Sequence, residues 1–123
     1  MGKRILFADG DQMMAEPVNT MLLQMGHLVQ METSGKEALD TFGNNPSKFD
    51  LVVMDVGMPD ISGLLLAEKL MRIRSDIPIV LLTGTDEQTR TRARASGIRW
   101  FGMKPVSIIE LTQTVENALT GVA

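Results

Sequence analysis

Short, uninterrupted apolar runs separated by longer amphipathic stretches constrain the fold of this chain of 123 residues most strongly. Three of these runs have no polar residue: ILFA at 5–8, LVVM at 51–54 and IVLL at 79–82. A strand that is covered on both faces is apolar throughout, so continuous runs of this length favour a parallel sheet. Two weaker runs, at 28–31 and 99–102, are expected nearer the edges of the sheet.

Each apolar run is followed by a stretch with the spacing or capping residues of an amphipathic helix. The predicted helices are 13–25 ending at Gly26, a helix capped by Ser34 and Glu37 and ended by Gly43, 64–74, a helix from Thr85 or Asp86 to Gly97, and a helix capped by Ser107 and Glu110. Five strand–helix units in succession predict an α/β fold, an open parallel sheet with helices on both faces and right-handed crossovers. The length fits a single domain over 1–123, and we expect no second domain in this chain.

The composition excludes several classes of function, because the residues they require are scarce or absent. Lys and Arg number 12 against 15 Asp and Glu, a net charge of −3 that offers no basic footprint for nucleic acid and no attraction to anionic membranes. Cysteine is absent, which excludes thiol catalysis and cysteine-bound zinc, and the one histidine is His27. We expect no signal peptide and no membrane span, hence a cytoplasmic protein. The chemistry is left to carboxylates, hydroxyls and lysine.

Carboxylate, hydroxyl and lysine side chains follow the ends of the predicted strands. Asp9 and Asp11 follow the first strand, Asp55 the third, Thr83 the fourth and Lys104 the fifth. Ligands of open α/β sheets bind beyond these carboxyl ends, so we expect the five side chains to gather there. Clustered carboxylates with few histidines suit Mg²⁺, whose open positions take phosphate oxygens. A carboxylate can also act as a nucleophile and form an aspartyl phosphate.

Over essentially its whole length the sequence resembles the receiver domain of two-component response regulators. The matching segments are ILFADGD at the first strand, DLVVMDVGMPDISG around Asp55, PIVLLTG ending in Thr83-Gly84, and GIRWFGMKP ending in Lys104-Pro105. The resemblance implies a doubly wound (βα)5 flavodoxin-like sandwich with strand order 2-1-3-4-5. It also implies a cis peptide bond before Pro105.

The same resemblance implies a role for each residue of the set. Asp55 would be the phosphoacceptor, Lys104 would pair with the phosphoryl oxygens, and Thr83 would reorient to hydrogen-bond them. Phe101 matches the aromatic position that rotates inward when the threonine moves. The Mg²⁺ ligands would be Asp55, the backbone carbonyl of Gly57 and Asp9, the last of which tends to act through water.

One position departs from the family pattern. Receivers generally carry two adjacent acidic residues after the first strand, and the second commonly ligates the metal, but here that position is Gly10. Asp11 is displaced by one residue, and neighbouring side chains of an extended chain point in opposite directions. A turn containing glycine could still bring Asp11 to the metal. We therefore expect Mg²⁺ to bind more weakly than in a typical relative.

These features predict a signalling phosphoacceptor rather than an enzyme, with at most slow self-dephosphorylation. The phosphodonor would be a histidine kinase or a phosphotransfer protein. The signal would pass to a downstream protein target or to fused kinase domains, and a second receiver could bind to form a homodimer. The chain could work alone or belong to a hybrid kinase. Two alternatives are a pseudo-receiver that binds or scaffolds because Gly10 has broken the site, and a small phosphatase or phosphotransferase of similar topology; the latter would need a general acid or cap domain.

Three further features carry weaker predictions. His27, at a helix end, is expected to cap that helix or lie at the surface. The methionines of the first helix, Met13 and Met14 among them, are expected to fill the core. Four arginines form a basic stretch that is read either as a solvated helix face or as a docking surface for an acidic partner or a second receiver: Arg90, Arg92, Arg94 and Arg99.

Overall fold

A computed structural model describes residues 2–121 and places five parallel strands in one sheet. In chain order the strands are β1 (Arg4–Ala8), β2 (Leu28–Glu32), β3 (Leu51–Asp55), β4 (Ile79–Thr83) and β5 (Trp100–Met103). They lie in the order β2-β1-β3-β4-β5. The register pairs Ile5 with Val29 on one side and with Leu51 on the other. The predicted fold class, strand order included, is confirmed.

Helices connect the strands and cover both faces of the sheet. They are α1 (Gln12–Gln24), α2 (Gly35–Asn44), α3 (Gly63–Ile73), α4 (Glu87–Ser96) and α5 (Ile108–Thr120), with a short 3-10 turn at Pro46–Lys48. α1 and α5 pack on one face, where Phe7, Val53 and Val80 point, and α2, α3 and α4 pack on the other, where Leu6, Met54 and Leu81 point. Strands β3 and β4 are buried on both faces, which explains their uninterrupted apolar sequences.

Helix starts agree with the predicted caps. The side chains of Ser34, Asp86 and Ser107 accept hydrogen bonds from the first turns of α2, α4 and α5. Asp86 rather than Thr85 caps α4, and Gly97 ends it in the left-handed region at φ 108°. α2 does not end at Gly43 as expected but continues to Asn44. Pro46 accounts for that end, since the residue before a proline avoids helical backbone.

Two side-chain predictions are wrong. His27 is buried, and its Nδ1 accepts a hydrogen bond from the backbone N–H of Lys3 at 3.0 Å, so it neither caps α1 with its side chain nor lies at the surface. Met13 and Met14 are 85% and 69% exposed, whereas Met21 fills the core as expected. Both exposed methionines lie in the first turn of α1, ahead of Ala15, where the buried face of that helix begins.

Candidate functional site

The carboxyl edge of the sheet collects most of the residues singled out by the sequence. Asp55 is the last residue of β3 and Thr83 the last of β4, while Asp9 and Lys104 directly follow β1 and β5. Ala8 pairs with Met54, which places Asp9 and Asp55 side by side. A cavity of about 520 Å³ opens at this edge, and its polar lining is Asp9, Gly10, Asp11, Asp55, Gly57 and Lys104.

Asp55 is a buried carboxylate held from two directions. It is 5% exposed, and its Oδ2 accepts a hydrogen bond from the Gly57 N–H at 3.0 Å. The Lys104 ammonium forms an ion pair with Oδ1, while the Lys104 N–H donates to the Thr83 carbonyl at 2.9 Å. The Lys104-Pro105 peptide bond is cis, as the resemblance implied. A buried carboxylate beside one cation, open to a cavity, can act as a nucleophile toward an electrophile that enters there.

Asp9 is the second buried carboxylate of the site. Burial raises the pKa of Asp9 most, and the nearby Asp55 adds to that rise, while a hydrogen bond from the Asp11 N–H (2.9 Å to Oδ1) and the Lys104 ammonium act in the opposite direction. Two neighbouring carboxylates with one ammonium carry excess negative charge in a poorly solvated place. Such a pair favours binding of a cation.

Asp11 has a structural task at the start of α1, which engages one of its two carboxylate oxygens. It is the N-cap of α1, and its Oδ1 accepts hydrogen bonds from the N–H groups of Met13 and Met14 at 3.1 and 3.3 Å. Among the described residues, no group of three acidic or histidine side chains is placed to hold a metal ion. Two carboxylates still fit Mg²⁺, which usually keeps several waters and takes one or two carboxylates from the protein. The residues present therefore fit a magnesium site built on Asp9 and Asp55.

Gly10 lies under the loop that follows β3. A Cβ atom at this position would stand 2.8 Å from Cδ of Pro59, closer than real Cβ contacts allow. The proline ring thus occupies the space where a side chain at position 10 would begin. This contact went unpredicted, because nothing in the sequence pairs position 10 with position 59.

Thr83 and Phe101 do not line the cavity. Thr83 is buried at the end of β4, one strand away from Asp55. Phe101 is half-buried and packs on the side of the sheet that carries α2, α3 and α4. The Arg94 guanidinium lies over its ring, 5.2 Å from the centroid. One arginine of the basic stretch thus stacks on the predicted switch residue instead of being fully solvated.

The rest of the cavity wall is apolar and reaches the surface. It includes the exposed Met13 and Met14 of α1, and Val106 and Ile108 at the start of α5. Ile109, next to Ile108, is 86% exposed. The sequence analysis missed this apolar rim because helical spacing alone placed the methionines in the core.

The fold and the site together define a doubly wound α/β protein with two buried carboxylates and a lysine at the carboxyl edge of its sheet, and comparison with known proteins identifies the family. A sequence model described as "Response regulator receiver domain" matches residues 5–116. This chain therefore belongs to the response regulator receiver family.

Individual relatives and solved structures agree with this assignment. The chain is 33% identical over 112 residues to the two-component response regulator ARR10 of Arabidopsis thaliana, and 32% identical over 117 residues to the response regulator SaeR of Staphylococcus aureus. Those matches cover 90% and 94% of this chain but only 20% and 50% of the relatives.

Solved structures match along nearly the full length of both chains. A putative response regulator from Chloroflexus aurantiacus superposes with a TM-score of 0.90 at 28% identity, covering 98% of this chain and 99% of the other. The non-phosphorylated HemR receiver domain from Leptospira biflexa gives a TM-score of 0.88 at 30% identity, covering 96% and 94%. Within residues 2–121, none of the helices has both the length and the apolar character needed to cross a membrane.

Proposed function

We propose that Asp55 accepts a phosphoryl group from the phosphohistidine of a histidine kinase or phosphotransfer protein, with Mg²⁺ bound beside it. One observation carries the proposal: Asp55 is a buried carboxylate that faces an open cavity, paired with the Lys104 ammonium and adjacent to Asp9. Family membership supports the same role, as do the two-component regulators among its relatives.

The transfer exchanges one bond to phosphorus for another. A carboxylate oxygen of Asp55 forms the new O–P bond, the N–P bond of the donor breaks, and its nitrogen keeps the electron pair. Lys104 leaves its contact with the free carboxylate to neutralise the phosphoryl oxygens, which carry the added charge. The Gly57 N–H holds the carboxylate in place throughout.

Mg²⁺ would be held by Asp9, Asp55 and the Gly57 carbonyl, and it would offset the charge of the phosphoryl oxygens. Asp11 is not assigned to this set, because its carboxylate caps α1. The missing acid at Gly10 leaves fewer protein ligands than the family pattern, which supports weaker binding of the metal.

The apolar rim supports a protein as the phosphodonor. Met13, Met14 and Ile108 line the cavity, and all three expose more than a third of their surface, as does Ile109 beside them in the chain. A small phosphate ester would gain little from apolar contacts placed there. A protein that brings a histidine to Asp55 would bury these side chains on docking.

Phosphorylation would change the protein surface formed by α4 and β5. Thr83 would turn toward the phosphoryl oxygens, and Phe101 would move into the space it leaves, breaking its contact with Arg94. The altered surface of α4 and β5 would bind a downstream protein, fused kinase domains or a second receiver as a homodimer. The domain would work in the cytoplasm as a switch rather than as a turnover enzyme, losing the phosphoryl group slowly to water.

The second candidate is a pseudo-receiver that binds partners without phosphorylation. Gly10 and the helix-capping role of Asp11 favour it, because both remove a carboxylate from the metal site. Incubation with phosphoramidate and Mg²⁺, followed by intact-mass measurement, separates the two. A switch gains one phosphoryl group that is absent in Asp55→Asn; a pseudo-receiver gains none with phosphoramidate, acetyl phosphate or Mn²⁺ in place of Mg²⁺.

A further inference from the structure

The loop that joins β3 to α3, residues 56–62, is fastened to the start of α2, the helix that packs beside α3. Asp60 lies in this loop, and its two carboxylate oxygens each accept a hydrogen bond from the start of α2. Oδ1 receives the N–H of Gly35 and Oδ2 the N–H of Lys36, both at 2.8 Å. Both oxygens of one carboxylate therefore join this loop to α2, which lies about 25 residues earlier in the sequence.

These two hydrogen bonds complete the N-terminus of α2. A helix leaves its first four N–H groups without partners inside the helix. Ser34 satisfies one of them, its Oγ accepting from the Glu37 N–H at 3.1 Å, while its carbonyl accepts the first regular helical hydrogen bond, from Ala38 at 3.0 Å. Asp60 satisfies two more, those of Gly35 and Lys36, and these N–H groups hold the pKa of Asp60 below its ordinary value. The helix end thus has one cap from its own chain segment and one from the loop.

Close approaches fit the loop tightly against α2 and against the end of β3. A Cβ at Gly35 would lie 2.4 Å from Cγ1 of Ile61, and one at Gly63 would lie 2.6 Å from the Asp55 carbonyl oxygen. The Gly63 N–H donates to the Val56 carbonyl at 2.8 Å. Asp60 is three residues from Gly57 in this closely packed loop, so loss of the Asp60 contacts would also loosen Gly57.

We propose that Asp60 is a positioning residue for the phosphorylation site, which holds the loop on α2 and so keeps the Gly57 N–H on the Asp55 carboxylate. Asp60 does not touch the reacting atoms; it acts through Gly57, whose N–H lies 3.0 Å from Oδ2 of Asp55. The structural part stands on the contacts above, and the kinetic part rests on the proposed function.

The matched control is Ser34→Ala, which removes a cap from the same end of α2 without touching the loop. Amide hydrogen exchange by NMR on the full chain compares it with Asp60→Ala. Hydrogen bonds to charged groups are among the stronger ones, so losing two should speed exchange of the Gly57 N–H at least about tenfold in Asp60→Ala. Ser34→Ala should leave Gly57 unchanged, and Asp60→Asn, which keeps one acceptor oxygen, should fall between Asp60→Ala and the native chain.

A kinetic measurement then tests the consequence for chemistry. At saturating phosphoramidate and Mg²⁺, the phosphorylation rate should fall about tenfold in Asp60→Ala and stay unchanged in Ser34→Ala. Unchanged Gly57 exchange in Asp60→Ala, equal acceleration in Ser34→Ala, or faster exchange with an unaltered phosphorylation rate would each overturn the positioning role. If the native chain takes no phosphoryl group, the proposed function fails, and the exchange comparison alone decides whether Asp60 holds the loop.

Discussion

Lys104 and Asp55 form an ion pair at the carboxyl edge of the sheet, although β4 lies between the strands that carry them. Lys104 directly follows β5 and reaches across the end of β4 to the last residue of β3. The ammonium therefore stands where a phosphoryl group on Asp55 would place its oxygens. The lysine balances two carboxylates in the unphosphorylated chain, and under the proposed function it would pair with the phosphoryl oxygens afterwards.

Replacing this lysine should slow phosphorylation more than it weakens the fold. Lys104→Met removes the cation that offsets developing charge, and losing one electrostatic stabiliser of this kind typically costs about 10²-fold in rate. The phosphorylation rate with phosphoramidate, followed by intact mass, checks this. Lys69→Met on α3 serves as the control and should retain the native rate. A Lys104→Met variant as fast as the native chain would contradict the role of the ammonium.

Removing the charge of Asp9 should stabilise the protein at neutral pH when no divalent metal is present. The folded-state pKa of Asp9 is raised, chiefly by burial, so its ionised form destabilises the fold as pH rises from the ordinary value of 3.8 through the raised one. Asp9→Asn keeps an acceptor for the Asp11 N–H and lacks the charge. Thermal denaturation should give a higher Tm for Asp9→Asn at pH 7, and the difference should shrink toward pH 3.8. A lower Tm at pH 7 would argue against this cause.

The same substitution should have the opposite effect on metal binding. Asp9→Asn should weaken Mg²⁺ binding at least about tenfold, because it leaves one carboxylate in the set. Asp11→Asn should leave the affinity nearly unchanged, since asparagine also caps a helix and Asp11 is not assigned to the metal. Calorimetric titration of both variants makes the comparison. Equal losses in the two would show that Asp11 takes the place of the acid missing at Gly10.

Adding a methyl group at position 10 should destabilise the fold. In Gly10→Ala the new Cβ meets the Pro59 ring at 2.8 Å, and overpacking of this kind costs about 1–3 kcal/mol. Gly84→Ala is the control, because a Cβ there meets nothing within 4 Å. Urea denaturation should show the loss in the first variant only. Equal stability of both variants would mean that the loop yields to the added atom without cost.

Sheet topology explains why so much of the site could be predicted from the sequence. Asp9, Asp55 and Lys104 were placed together because the ends of parallel strands meet at one edge, which follows from strand assignment alone. Strand assignment follows from the uninterrupted apolar runs of β3 and β4, which are buried on both faces.

The contacts that side chains outside the strands make could not be predicted from the sequence. Asp11 turns to its own helix, Pro59 fills the space above Gly10, and Asp60 reaches α2, and each depends on how a loop packs against a distant segment. The exposure of Met13 is hard to predict for a related reason. Helical spacing indicates which face a residue is on but not where along the helix the buried face begins.

The central claim, that Asp55 is the phosphoacceptor, is tested most directly by locating the phosphoryl group. The chain is phosphorylated with phosphoramidate and Mg²⁺, reduced with borohydride, which converts an aspartyl phosphate to homoserine, and digested for peptide mass spectrometry. We predict homoserine at position 55, none in Asp55→Asn, and none at Asp9 or Asp11. Homoserine at another aspartate, or none anywhere in a fully folded chain, would contradict the claim.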